Sequence, residues 1–426
     1  MALDFVLAPP HRSFVECWWG GVALLVQPLY AMPPIQLNRS IEIMESVSLF
    51  IPNMTDGRKR FTGVTWLLGL LFSAGVVGIT GCKEGGLPKA VEKVHNGVTV
   101  SVDPRVELIS IVQTLSEYPQ RLPFLMTEEH FPYRADVEGH FTRFRRHAVI
   151  KVFDELSSRR LSFSGPPESM LYLGGTLAIK SELLLDSLLM GRYEGQDGFR
   201  NFLPLLLDFA RESNFAQFYN EHRNYYERIV DSVVSRMGIW NYVAELEAFF
   251  GKKQASYNIV LVSLYGPVGF GPRLRTARGE QHIYSILGPK TVQDNTPMFG
   301  NEEYFNVMLR HEFSHSFVNP LTEAHRDQVL RYSDRFDRLP EVAREKACGD
   351  WEECTNEHIV RTVTTYLAFQ ESQEAGERAL AHETKQGMIF VSSLVDRLKE
   401  YTNDRKRYPT LDSFYERLIE VFAENP

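Results

Sequence analysis

The pentapeptide His311-Glu312-Phe313-Ser314-His315, inside the run Tyr304 to Asn319, constrains this chain more than any other stretch. Phe305, Met308, Leu309, Phe313 and Phe317 recur around it at spacings of three and four, which predicts a helix with one apolar face. Positions four apart on a helix lie one above the other, so the imidazoles of His311 and His315 share a face and can grip one metal ion. Glu312, one step round, reaches a water on that ion. Asn301 with Glu302 and Glu303 supplies an N-cap and an acidic first turn, and Pro320 is expected to stop the helix.

This is the residue pattern of zinc hydrolase chemistry, and a catalytic zinc takes three protein ligands with one position left for water, so a third ligand must come from elsewhere. Val318 and Leu321 stand where a metzincin would carry Gly and His, which excludes that arrangement. Glu323 and His325 follow closely after Pro320 and remain candidates. Glu357, in Thr355-Asn356-Glu357-His358-Ile359-Val360-Arg361-Thr362-Val363, is the preferred one. This second stretch resembles the glutamate helix of the gluzincins, in which an Asn-Glu pair opens a helix that presents its carboxylate to zinc. The resemblance implies zinc held by His311, His315 and Glu357, Glu312 as general base, and hydrolysis of peptide bonds. It covers the two motif stretches, with the strand before them, and not the N-terminal half.

Two departures from that pattern matter. The spacing from His315 to Glu357 is 42 positions, longer than in the best-known gluzincins, which implies an insertion over residues 321–353. Many gluzincins carry Asp four residues after the glutamate to orient a zinc histidine, and here Arg361 stands there. Arg361 shares a helix face with Glu357 and either fixes its carboxylate or binds substrate, and Asn356 is a second candidate for such a supporting role. His282, Tyr284, His382, Tyr366 and Tyr401 are candidates for stabilising an oxyanion, Tyr366 the weakest because it falls half a revolution from Glu357. The motif residues also resemble an uncharacterised family of bacterial lipoproteins with suspected peptidase activity.

The N-terminal region is consistent with that second resemblance. Arg58-Lys59-Arg60, an apolar run from Phe61 to Val77, and Ile79-Thr80-Gly81-Cys82 resemble a bacterial lipoprotein signal peptide with its lipobox. The alternative is an uncleaved transmembrane anchor. On the lipoprotein reading Met54 is the natural start, residues 1–53 are an N-terminal extension, non-native or disordered, and residues 54–81 are removed. Cys82 then carries the lipid, residues 82–97 form a tether, and the protein sits in the bacterial cell envelope, outside the cytoplasm on its periplasmic or cell-surface face.

The 46 basic and 54 acidic residues are interspersed at a net charge of −8, which leaves no basic stripe for nucleic acid. The four cysteines are too few for a disulfide scaffold and lack CxxC spacing. Cys348 and Cys354 nevertheless bracket the approach to Asn356, and outside the cytoplasm a disulfide between them would pin the start of the glutamate helix; free thiols or metal ligands are the alternatives.

Elsewhere, Val98 to Val102, Tyr257 to Leu264 and Gln281 to Leu287 are predicted as strands, and Asp103-Pro104 opens a helix over Val106 to Leu115. Tyr133 to Leu156 is predicted as one helix, with His140 and His147 as ordinary core or surface residues. The glycines at 266, 269 and 271 form a turn rather than a phosphate loop. The place of Gln281 to Leu287 just before the HExxH helix resembles that of the zincin edge strand, which implies an edge on which an extended substrate can pair. The fold class expected is α+β, mainly helical, with a zincin-like catalytic domain built from a short β-sheet and an HExxH active-site helix. A helical part over 98–250 precedes the zincin-like part at 251–426. The partners implied are a peptide or protein substrate, and a membrane through the lipid anchor. The rival reading is a non-catalytic surface lipoprotein that binds protein or glycan and whose metal site is structural or vestigial.

Overall fold

The computed structural model describes residues 86–346 and 348–424, together with the backbone of a short antiparallel pair, Cys17–Trp19 and Val22–Leu24. The signal-peptide stretch and Cys82 lie outside the described residues. The architecture is α+β and mainly helical, with a small mixed sheet. No described helix is long and apolar enough to cross a membrane.

Strands β1 (Val91–His95) and β2 (Val98–Val102) form a hairpin in which His95 faces Val98. Its two-residue turn is Asn96-Gly97, with φ of 48° and 81°, the left-handed pair that a tight hairpin requires. The tether expected over 82–97 therefore gives way to regular structure by residue 91. The signal was present as Asn-Gly between two apolar valines, and it outweighs the Gly-rich composition upstream.

Helix α1 (Pro104–Leu115) starts as expected, with Asp103 capping Arg105 N at 2.9 Å and Pro104 in the first turn. Further helices, the longest of them Gln196–Glu212, fill the stretch to residue 236. The predicted helix from Tyr133 to Leu156 is interrupted there: Pro132–Phe141 gives way to a tight turn, and a new helix begins at Ala148 because the His147 ring accepts from Val149 N at 3.2 Å. His140 is tied to Ser213 O at 2.7 Å, so both histidines serve the fold.

Helix α2 (Tyr242–Phe250) leads to β3 (Ser256–Leu261), β4 (Gly269–Phe270), β5 (Arg273–Arg275) and β6 (Gln281–Leu287). The sheet order is β1-β2-β3-β6-β4, with β2, β3 and β6 parallel and β4 and β5 antiparallel to β6. Because β2 pairs with β3, the sheet runs across the expected boundary at 250/251, and residues 85–426 fall in one unit. β6 is not an edge strand. β3 covers one side, while β4, Pro272 and β5 cover the other, so the free edge moves to β4.

A small hairpin, β7 (Thr291–Gln293) and β8 (Thr296–Met298), precedes α3 (Glu302–Ala324). After a stretch of short helices come α4 (Trp351–Glu371), α5 (Gln373–Lys385) and α6 (Val391–Asn403). Pro320 does not stop α3, which continues to Ala324. A proline removes the amide that would have bonded to Ser316 O, and the Gln254 side chain donates to that carbonyl at 3.3 Å instead.

Candidate metal centre

Helix α3 begins where expected, with the Asn301 side chain accepting from Tyr304 N at 2.8 Å. Its apolar residues are buried against neighbours on both sides: Phe313 lies 5.1 Å from the Tyr257 ring, and Phe317 stacks on Phe250 at 4.3 Å. Arg310, adjacent to His311, grips both oxygens of Glu245 on α2 at 2.7 and 2.9 Å and also donates to Glu371 on α4. One buried guanidinium thus joins the helix of the histidines to two others.

Helix α4 is capped by Asp350, which accepts from Glu353 N at 2.9 Å, and its start is pinned by a disulfide between Cys348 and Cys354. The helix opens at Trp351 and not at the Asn-Glu pair, so Glu357 lies in its second turn. Glu357 follows Cys354 by three positions, less than one turn, so the disulfide lies within one turn of the carboxylate, which is buried against the histidines of α3.

The structure brings Glu357 to the two histidines. His315 Nε2 lies 3.2 Å from His311 Nε2 and 3.3 Å from Glu357 Oε1, and His311 Nε2 lies 3.8 Å from Glu357 Oε2. Metal bonds of about 2.0–2.2 Å in a tetrahedron separate ligand atoms by roughly 3.3–3.6 Å, so the three positions suit one small divalent ion. Among the described residues these three are the group placed to hold a metal. The other third-ligand candidates are elsewhere: Glu323 pairs with Arg275 at 3.2 Å, and His325 faces Asp412 and Glu416.

The shifts on His311 and Glu357 suit metal binding, whereas the one on His315 favours the proton that a metal would displace. Burial pushes His311 down to about 3, which leaves a neutral imidazole with a lone pair to donate. Burial also disfavours charge on His315, but the hydrogen bond and charge of Glu357 outweigh it and hold His315 above its ordinary value. Glu357 is held far below the carboxylate range, because Arg361 and the two histidines overcome the cost of its burial. Glu312, beside the group, is pushed up by burial, so it is a stronger base than an exposed glutamate.

Around these residues stands a supporting set. Asn319, one turn after His315, has its side-chain oxygen 3.0 Å from His315 Nδ1, which directs Nε2 towards the cluster. Arg361 fixes the carboxylate: Nε donates to Glu357 Oε2 at 2.8 Å, and Nη1 donates to Glu383 Oε2 on α5 at 3.0 Å. Asn356 does not support the cluster. Its oxygen accepts from Thr322 at 2.6 Å, and Thr322 shares its hydroxyl with Tyr415, so Asn356 ties α4 to α3 and to the C-terminal helices.

The oxyanion candidates have partners of their own. Tyr401 donates to Phe249 O, Tyr366 to Thr402, and the His282 ring meets Ser256 at 2.9 Å, while Tyr284 is near Arg105. His382 lies near Arg361. Two groups that sequence reasoning passed over are felt electrostatically by Glu312 or feel it in turn: Lys290, just before β7, and Tyr304, in the first turn of α3. Gly271 approaches more closely still. A Cβ there would stand 3.2 Å from Glu312 Oε2. Tyr304 was legible, two turns before Glu312 on one face, whereas nothing in the sequence places Lys290 or Glu383 near the motif.

Comparison with curated proteins and with solved structures gives no match. A family model described as a domain of unknown function, DUF4932, matches residues 194–421, more than half of the chain, and takes in β3 to β8 and all three residues of the metal cluster. The chain belongs to that family.

Proposed function

We propose that this protein is a zinc-dependent peptidase with a zincin-like catalytic fold of the gluzincin type. The observation that carries the reading is the convergence of His311, His315 and Glu357 at tetrahedral spacing, beside a half-buried Glu312 that is not one of the three. Two imidazoles and a carboxylate are the donor set of hydrolytic zinc sites, and a structural site would be closed by a fourth protein ligand. When bound there, zinc acidifies a water and polarises the scissile carbonyl. Glu312 accepts the proton of the attacking water and returns it to the leaving amine. Arg361 and Asn319 keep the carboxylate and one imidazole aimed at the centre. A peptide main chain pairs along the outer edge of β4, since Gly271 at its end borders Glu312.

The test is a pair of substitutions read by metal content and by digestion of a peptide library with and without chelator. Glu312→Gln keeps zinc and loses hydrolysis, while Glu357→Ala loses zinc affinity. Full zinc occupancy in Glu357→Ala, or a zinc-loaded wild type inert on every peptide, sinks the proposal and favours a binding lipoprotein.

A further inference from the structure

Lys290 leaves β6 through Gly288-Pro289, and its main-chain N–H donates to Met298 O at 2.7 Å, which anchors it at the base of the β7–β8 hairpin. Its ammonium lies 4.8 Å from the centre of the Tyr304 ring. Tyr304 is fixed in turn by the Asn301 cap and by Gly300, where a Cβ would stand only 2.2 Å from the ring. Both polar ends, Lys290 Nζ and Tyr304 Oη, are shut off from solvent and lack a hydrogen-bond partner. Among the described residues no carboxylate lies within ion-pair distance of Lys290.

Such a pair is costly to keep. An unpaired buried ammonium destabilises a protein, and a well-packed apolar side chain would relieve the cost. Burial lowers Lys290 to about 8 while Glu312 pulls the other way, so the cation survives at neutral pH. The charged neighbour that both groups feel is Glu312. Three donors on an ammonium and one on a phenol, with no acceptor among the described residues, suit an anion that arrives from outside.

Which anion follows from the chemistry, and this step rests on the peptidase reading. Glu312 returns its proton to the leaving amine, so the groups next to Glu312 face the C-terminal product of cleavage. A single-residue product carries its α-carboxylate within about 4 Å of the broken bond. Tyr304 precedes Glu312 by eight positions on α3, about 12 Å along the axis, and Lys290, 4.8 Å over the Tyr304 ring, makes no ion pair with Glu312, so the gap between them is where that carboxylate would fall. We propose that Lys290 and Tyr304 form a subsite for the free α-carboxylate of the substrate, so that the enzyme removes residues from peptide C-termini.

The experiment compares zinc-loaded wild type and Lys290→Met on one N-blocked peptide, supplied as the free acid and as the C-terminal amide. Wild type should prefer the acid by on the order of 10- to 100-fold in kcat/KM. Lys290→Met should lose that preference, its KM rising for the acid and not for the amide, with zinc stoichiometry unchanged. Its Tm should be equal or higher, because an unpaired buried charge is gone. Equal cleavage of acid and amide by wild type, or an acid preference that survives undiminished in the variant, overturns the proposal. If wild type hydrolyses neither, the peptidase reading fails separately. Calorimetric binding of the same two peptides then decides the subsite: tighter binding of the acid, lost in Lys290→Met, supports it, and equal binding overturns it.

Discussion

Arg361 holds Glu357 from one helical turn away, its Nε donating to the carboxylate at 2.8 Å while its Nη1 reaches Glu383 on the next helix. All three side chains are buried, at 4%, 3% and 0% exposure for Arg361, Glu357 and Glu383. A cation placed between two buried carboxylates keeps the nearer one ionised and pointing at the histidines.

Removing that cation should affect both metal and fold. Arg361→Met leaves two carboxylates without their buried partner, and the expected loss of stability is about 3–5 kcal/mol in denaturant titrations. Zinc affinity, measured against a competing chelator on the folded fraction, should fall roughly 10- to 100-fold. Adding Glu383→Leu should restore stability more than zinc affinity, because Glu357 still lacks its clamp. Unaltered affinity in the single variant would mean that Glu357 does not depend on Arg361.

Asn319 should matter in a narrower way. Asn319→Ala removes the partner of His315 Nδ1, frees the ring to rotate, and should weaken zinc by about tenfold with little change in stability, since Asn319 is only half-buried. Asn319→Asp keeps an acceptor at the same position and should retain tight binding. The comparison is read by zinc titration at fixed pH, and equal weakening in both variants would rule out the orienting role.

The Cys348–Cys354 disulfide closes a loop with a sequence separation of only 6, so its contribution through the unfolded chain is modest, about 2 kcal/mol. Cys348→Ser with Cys354→Ser should lower the unfolding free energy by that amount. Alkylation of unreduced protein, followed by mass analysis of the peptide spanning both positions, should find no labelled thiol. Two labels there would show the pair reduced.

Glu107, on α1, is a buried acid outside the metal centre that accepts from Tyr133, which also bonds to Tyr226 at 2.8 Å. Burial raises its carboxyl to about 7 against the opposing pull of Tyr133. A folded-state value above the unfolded one stabilises the protein at low pH, and that contribution is lost as pH rises through 7. Glu107→Gln removes the titration and keeps an acceptor for Tyr133. Between pH 5 and pH 8 the variant should gain roughly 2–3 kcal/mol on wild type in urea unfolding. Parallel pH profiles would show that Glu107 titrates as an ordinary glutamate.

Cys82 carries the proposal of a lipid anchor. Expressed in a bacterium with a radiolabelled fatty acid, the full chain should take up label and fractionate with membranes, and Cys82→Ser should do neither. Label and membrane binding that persist in Cys82→Ser would remove the assignment.

What the sequence by itself determined lies within a few residues along one helix. The alignment of His311 with His315, the cap at Asn301, the pairing of Glu357 with Arg361 and the contact of His315 with Asn319 all follow from the 3.6-residue turn, which relates positions four apart whatever surrounds them. Even the hairpin at Asn96-Gly97, mistaken for a tether, was local. Only the tertiary structure decided the rest. Pro320 could remain inside α3 because Gln254, from before β3, takes over the carbonyl it orphans. β6 lost its free edge because the chain folds back on it as β4 and β5. Glu383 reaches Arg361 from a separate helix, and Lys290 comes to Tyr304 and Glu312 from a hairpin base. No backbone periodicity relates such positions; packing brings them together, and so the shape of the site around the His311–His315 pair is a property of the assembled fold.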